Sequence, residues 1–238
     1  MLEVQNISLS IKENGKRKDI LKNISFSCED NETIVITGKN GSGKSTLLKI
    51  IMGIENRASG KILLDDKDIT SLSIDERANS SMSYSFQTPV KFKGITVKNL
   101  LNIAQKKTTK LNDCCEVLSQ LGLCAKNYID RDVDGKLSGG EQKRIDIASV
   151  LARKSKINLF DEPEAGIDIF SFDNLIHLLT KKDCLNIIVS HQKKLIEYAD
   201  KVLLLDNGKM LAFDRPEVIL KILEKNPSNC SKLWGFYG

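Results

Sequence analysis

The sequence predicts an α/β fold: a mostly parallel sheet with helices on both faces, an antiparallel β subdomain near the N-terminus and an inserted helical subdomain. Three observations point there. Short alternating or β-branched apolar runs recur between stretches of helical period. A glycine-rich loop at 38–43 follows one such run and opens a helix. From 97 to 123 the period turns helical, with Val97, Leu100, Leu101 and Ala104 on one face.

Residues 2–11 alternate, Asn14-Gly15 is a turn signal, and 20–27 alternate again, as antiparallel strands do. The run 33–37 (TIVIT) has the β-branched composition of a strand buried in a parallel sheet. A helix at 45–52 is stopped by Gly53, and 61–64 and 82–86 are further strands. After Gly139-Gly140 a helix runs to Arg153. Strands at 157–160, 186–190 and 201–205 then alternate with helices at 172–181, 193–198 and 216–223. The chain reads as one domain. Residues 1–87 and 151–238 form the core with its β subdomain, and 88–150 form the helical subdomain.

A length of 238 residues suits such a core with one inserted lobe. With 41% hydrophobic and 28% charged residues the chain is globular rather than disordered. The net charge of +5 is spread thinly, which argues against a nucleic-acid partner or a polybasic membrane anchor. The apolar runs are too short to span a bilayer, and the alternating N-terminus is unlike a secretory leader. A cytoplasmic chain is expected, meeting a membrane only through a partner. None of the six cysteines forms a CxxC. Leu111, Cys114, Cys115, Leu118 and Leu121 share one helical face, so the adjacent pair is expected to pack as small hydrophobes.

The run Gly38-Lys39-Asn40-Gly41-Ser42-Gly43-Lys44-Ser45-Thr46 satisfies G-x-x-x-x-G-K-[ST], between a strand and a helix. Glycines let the backbone fold tightly enough to turn its N–H groups onto phosphate oxygens, and the helix N-terminus adds partial positive charge. Lys44 is placed to reach the β- and γ-phosphates, and Ser45 to meet Mg²⁺. Asp161 ends an apolar strand, where such proteins hold Mg²⁺. Glu162 follows it. Neighbouring side chains at a strand end diverge, so Glu162 is free to orient or deprotonate an attacking water. Ser138-Gly139-Gly140-Glu141 opens another helix and is a second candidate anion site. In a head-to-tail dimer it would close over the nucleotide of the other copy.

Together, GKNGSGKST, LSGGEQKR, NLFDEP and the histidine of IIVSHQ resemble the nucleotide-binding subunits of ABC-type ATPases, in family order and across essentially the whole chain. The resemblance implies ATP and Mg²⁺ as cofactors and a second copy of the chain as partner. It implies that Gln87 contacts Mg²⁺ and couples core to lobe. His191 would contact the γ-phosphate, and Asp168 would lie in a loop crossing the dimer interface. Lys44, Glu162 and His191 are then the catalytic residues, and Ser45, Gln87 and Asp161 the metal ligands. His177, inside a helix, is expected to be a bystander.

Within that family some residues depart from the general pattern. Ile11 stands where an aromatic commonly stacks on adenine, and Asp146 lies where transporter-type chains carry a small residue. These features, with Lys143-Arg144, Asp75-Glu76-Arg77-Ala78, Phe86-Gln87-Thr88-Pro89-Val90, Gly94 and the Trp234-Gly235-Phe236-Tyr237 cluster, resemble the SufC-like ATPases of iron–sulfur cluster assembly. Pro163 is more transporter-like. The SufC-like resemblance implies a soluble SufB-like scaffold as partner. The alternatives are the nucleotide-binding subunit of an ABC membrane transporter and a non-catalytic nucleotide sensor.

Overall fold

The computed structural model describes residues 1–13, 15–108, 110–134 and 136–225. β1 (Leu2–Glu13) and β2 (Lys16–Cys28) pair antiparallel, with Glu13 opposite Lys16 across the turn. β3 (Thr33–Gly38) leads into the glycine loop and α1 (Lys44–Met52). β4 (Ser59–Leu64), β5 (Lys67–Asp68), α2 (Ile74–Asn79) and β6 (Met82–Ser85) follow. The helical lobe holds α3 (Val97–Gln105), α4 (Leu111–Gln120) and α5 (Ala125–Tyr128). α6 (Gly139–Arg153) returns to the core. β7 (Ile157–Asp161), α7 (Ile169–Leu179), β8 (Leu185–Val189), α8 (Lys193–Glu197), β9 (Lys201–Asp206), β10 (Lys209–Asp214) and α9 (Pro216–Lys225) complete it.

Two sheets result. A four-stranded antiparallel sheet has the order β2-β1-β4-β5, and a six-stranded sheet has the order β10-β9-β3-β8-β7-β6. The second is parallel except for its edge strand β10. β3, β7 and β8 are buried at every position, as central strands covered on both faces must be. Their alternation divides the interior. Ile34 and Ile36 face a core shared with the antiparallel sheet and α1, whereas Val35 faces one built with α6, α7 and α9. Parallel strands β3, β7 and β8 all end at the same edge, so the glycine loop, Asp161 and the residues after Val189 converge there.

The strands and helices of the core lie where the sequence places them. The run 97–123 differs, because it is two helices. Lys106 takes a left-handed conformation (φ 54°) and caps α3, and α4 starts at Leu111. α2 is only six residues long and mostly polar, so no apolar period marks it. A Ser73/Glu76 capping box starts it instead. β10 is a half-exposed edge strand, and its short run 210–213 is not among the strands read from the sequence. Cys114 is buried and Cys115 half-buried on α4, in keeping with packing. Asn14, Cys230 and the Trp234-Gly235-Phe236-Tyr237 cluster lie outside the described residues. Among the described residues no helix is long and apolar enough to cross a membrane.

Candidate nucleotide site

At Gly38 (φ 141°) the chain leaves the sheet, and a Cβ there would sit 1.9 Å from the Leu205 carbonyl oxygen, so only glycine fits. The loop closes through the Ser42 N–H donating to the Lys39 carbonyl (3.1 Å). Gly43 caps α1 in a left-handed conformation, without a side-chain cap and without an acid in the first turn. The positive end of α1 therefore faces the loop uncompensated. Asn40 and Gly41 are exposed at the loop tip, Lys39 lies 3.8 Å from Asp206, and Thr46 is half-buried in α1.

Lys44 is buried and its ammonium donates to the carbonyls of Gly38 (2.7 Å) and Lys39 (3.0 Å), the loop it serves. Burial pulls its pKa down, against the pull of Glu162 and Asp161. Ser45 Oγ donates to Asp161 Oδ1 (2.8 Å), bringing together two residues 116 positions apart in the chain. Tyr84 donates to the other oxygen of Asp161 (3.2 Å). Burial pushes the Asp161 carboxyl up, and the Ser45 and Tyr84 bonds oppose that shift.

Glu162 points elsewhere. Its Oε2 accepts from Gln87 Nε2 (2.8 Å), and its Oε1 lies 3.9 Å from His191 Nε2. Glu162 is itself left-handed (φ 46°), an uncommon state for a residue with a Cβ, and its N–H donates to the Val189 carbonyl (3.0 Å). Both ring nitrogens of His191 are sealed from solvent with no hydrogen-bond partner, as is Ser42 Oγ. Desolvation is the main force lowering the His191 pKa, with the Lys44 charge second. A buried imidazole with two open nitrogens, an open hydroxyl and an uncapped helix start fit the γ-phosphate of a nucleotide. Ser45, Asp161 and Gln87 supply the oxygens that suit Mg²⁺.

Ser138 caps α6. Its hydroxyl accepts from the Glu141 N–H (3.2 Å), while Glu141 Oε2 accepts from the Ser138 N–H (2.7 Å). This capping box satisfies one of the four open N–H groups of the helix and fixes the angle of the Ser-Gly-Gly start. Gly140 packs so closely on the Gly166 carbonyl oxygen that a Cβ would lie 2.4 Å away. Gly139 is beside it, also without a side chain. Ser138, Gly139, Gly140 and Glu141 thus take their contacts from Tyr128, Arg131 and Gly166, none of which belongs to the glycine loop. Asp168 caps α7 through Ser171 and lies 3.4 Å from Arg144. His177 packs edge-on against the Tyr198 ring, far along α7 from the loop.

Two residues near the site have roles that sequence reasoning missed. Lys143 is 1% exposed and donates to the carbonyls of Phe86 (2.5 Å) and Asp161 (3.0 Å). It ties α6 to the ends of β6 and β7 at once. Asp146, one turn on, accepts from Ser85 Oγ (2.5 Å).

A phosphate loop whose serine meets a strand-end aspartate, with a second carboxylate beside it, defines a P-loop ATPase. The comparisons agree. The ABC transporter family model matches residues 21–165. An uncharacterized ABC transporter ATP-binding protein of Methanocaldococcus jannaschii is 37% identical over 90% of this chain and 90% of its own length. The lipoprotein-releasing system ATP-binding protein LolD of Wigglesworthia glossinidia brevipalpis is 33% identical over 88% of this chain and 96% of its own. A dimeric ATP-binding cassette bound to ADP and phosphate has the same fold, with a TM-score of 0.81 at 23% identity over 91% of this chain and 99% of that one. The chain belongs to the ABC transporter ATP-binding family. It is an ATPase that uses ATP and Mg²⁺.

These relatives correct the iron–sulfur reading and its SufB-like partner, because they are named as ATP-binding proteins of transporters. The structure supplies the physical reason the resemblance misled. Lys143 and Asp146 make hydrogen bonds inside the chain, so neither is held out toward a partner.

Proposed function

We propose that this chain is the nucleotide-binding subunit of a membrane transporter, working at the cytoplasmic face. The observation that carries this reading is the Gln87–Glu162 hydrogen bond (2.8 Å). It ties the start of the helical lobe to the carboxylate beside the nucleotide, so a change at that carboxylate moves the lobe. The names of the relatives support a membrane-embedded partner at the other end of that motion.

The geometry supports the following site roles. The loop from Gly38 to Gly43 and the α1 start cradle the phosphates, and Lys44 neutralises them. Ser45, Asp161 and Gln87 hold Mg²⁺, which supplies charge neutralisation at the phosphoryl oxygens. Glu162 accepts the proton of the attacking water or orients it. His191, whose ring nitrogens have no hydrogen-bond partner within the chain, contacts the γ-phosphate. Residues 1–87 and 151–238 act as the core, and 88–150 as the lobe that moves. Two copies close head to tail, Ser138–Gly140 of each covering the other's nucleotide, and Asp168 lies in the seam.

Affinity purification of the native complex tests this reading. A multi-span membrane protein recovered with the chain is the expected result. A wholly soluble complex, with no membrane protein in the detergent extract, would overturn it.

A further inference from the structure

Glu164 has no part in the chemistry described above, yet its carboxyl tip is bonded within the site. Ser190 Oγ donates to Glu164 Oε1 (2.5 Å), and the same Ser190 oxygen accepts from the Gln192 N–H (3.0 Å). The backbone N–H of His191 lies against the same carboxyl. Ser190 is wholly buried, and its own N–H donates to the Ile36 carbonyl (3.2 Å). His191 therefore sits between two residues that Glu164 holds, one directly and one through a shared hydroxyl. Its ring makes no hydrogen bond to hold itself. The anchor also reaches back, because Glu164 is two residues beyond the left-handed Glu162, and the Ile167 N–H donates to the Glu164 carbonyl (3.1 Å). One carboxyl thus fastens the loop carrying Glu162 to the strand end carrying His191.

We infer that Glu164 is a positioning residue for hydrolysis: through Ser190 it sets the place of the His191 ring relative to Glu162. Glu164 Oε2 is sealed from solvent without a partner. A polar atom left open in this way is a cost that a purely packing role would avoid by using an apolar side chain. Burial pushes the carboxyl above the ordinary carboxylate range, against the Ser190 bond. Gln keeps a side-chain oxygen that accepts from the Ser190 hydroxyl, so Gln should replace Glu where Ala does not.

The inference rests on the proposed role of His191, and the test separates the two. Full-length Glu164→Ala, Glu164→Gln, Ser190→Ala, the double variant Glu164→Ala/Ser190→Ala and His191→Ala are compared for steady-state kcat and KM and for binding of a fluorescent ATP analogue. Imidazole NMR supplies a readout of ring position. The chain has only two histidines, so His177→Gln assigns the signals. Glu164→Ala and Ser190→Ala should each lower kcat roughly tenfold or more with KM within about twofold, the scale expected for a misplaced catalytic group. Both should shift the His191 resonances, the double variant should be no worse than either single one, and Glu164→Gln should retain most of the turnover. Unmoved His191 resonances with near-normal kcat in both alanine variants would overturn the inference. So would an equal loss in Glu164→Gln, or loss of nucleotide binding in all of these variants. Wild-type turnover in His191→Ala would remove the role of His191 and this inference with it. Lost turnover there, beside normal Glu164→Ala and Ser190→Ala enzymes, would remove the inference alone.

Discussion

Lys143 carries a charge in a place with almost no water, and its two carbonyl partners explain why it stays. Desolvation is the main force lowering its pKa, and Asp146 is the first of the acids that oppose it. Lys143→Met would leave the Phe86 and Asp161 carbonyls without their donor, at about 1–3 kcal/mol for a buried group left unsatisfied. Urea unfolding should read that loss. Glu162 is the residue-scale test of the chemistry. Glu162→Gln keeps a hydrogen-bonding side chain beside Gln87 but cannot take a proton. It should bind ATP normally while phosphate release slows by a factor on the order of 10² to 10⁴. Unchanged release would remove Glu162 from the proton transfer. The sequence pointed to Glu162 because a carboxylate pair after an apolar strand is a local pattern. It could not point to Lys143, because a lysine in a helix looks solvated until its neighbours are known.

At the scale of elements, helix starts divide the labour. α1 begins on a glycine and is left open for an anion, whereas α6 begins on Ser138 with its capping box. The box is strengthened by Tyr128, whose hydroxyl bond is the leading cause holding the Glu141 carboxyl at about 2. A carboxylate depressed in the folded state adds stability that is present above its unfolded value near 4.5. That stability is lost as the pH falls from 4.5 toward 2. Acid unfolding followed by circular dichroism should therefore lose part of its slope across that window in Glu141→Gln. Ser138→Ala should cost about 1 kcal/mol through the lost cap. α2 shows another device. Arg77 is buried and donates to the carbonyls of Ile50, Ile51, Thr70 and Leu72, closing the C-terminal end of α1. Its Ser73/Glu76 box was visible in the sequence in principle, but six mostly polar residues carry no period to draw attention to it.

Across the whole molecule, the parallel sheet gathers distant segments at one edge, and hydrogen bonds there join it to the segment that carries the lobe. Gln87 reaches Glu162, Lys143 reaches Phe86 and Asp161, and Arg144 reaches Asp168. On the proposed head-to-tail closure, Glu162→Gln with ATP and Mg²⁺ should run as a dimer in light scattering. The same protein without ATP should run as a monomer, because the bound nucleotide would be the joint between copies. A mass that ignores ATP would count against closure around the nucleotide.

The sequence by itself determined the phosphate loop, the strand-end carboxylates and the order of the main strands and helices of the core. These depend on neighbours a few residues apart, and glycine, a β-branched run or a cap dictates backbone geometry locally. The tertiary structure decided which groups meet: Ser45 with Asp161, Gln87 with Glu162, Lys143 with two strand ends, and Glu164 with Ser190. Those pairs are far apart in the chain, and the parallel sheet together with the helices and loops packed on it brings them within hydrogen-bond reach. The packing of α6 decided that Asp146 bonds Ser85 in the interior, where the sequence alone left a specialised packing or a partner contact open.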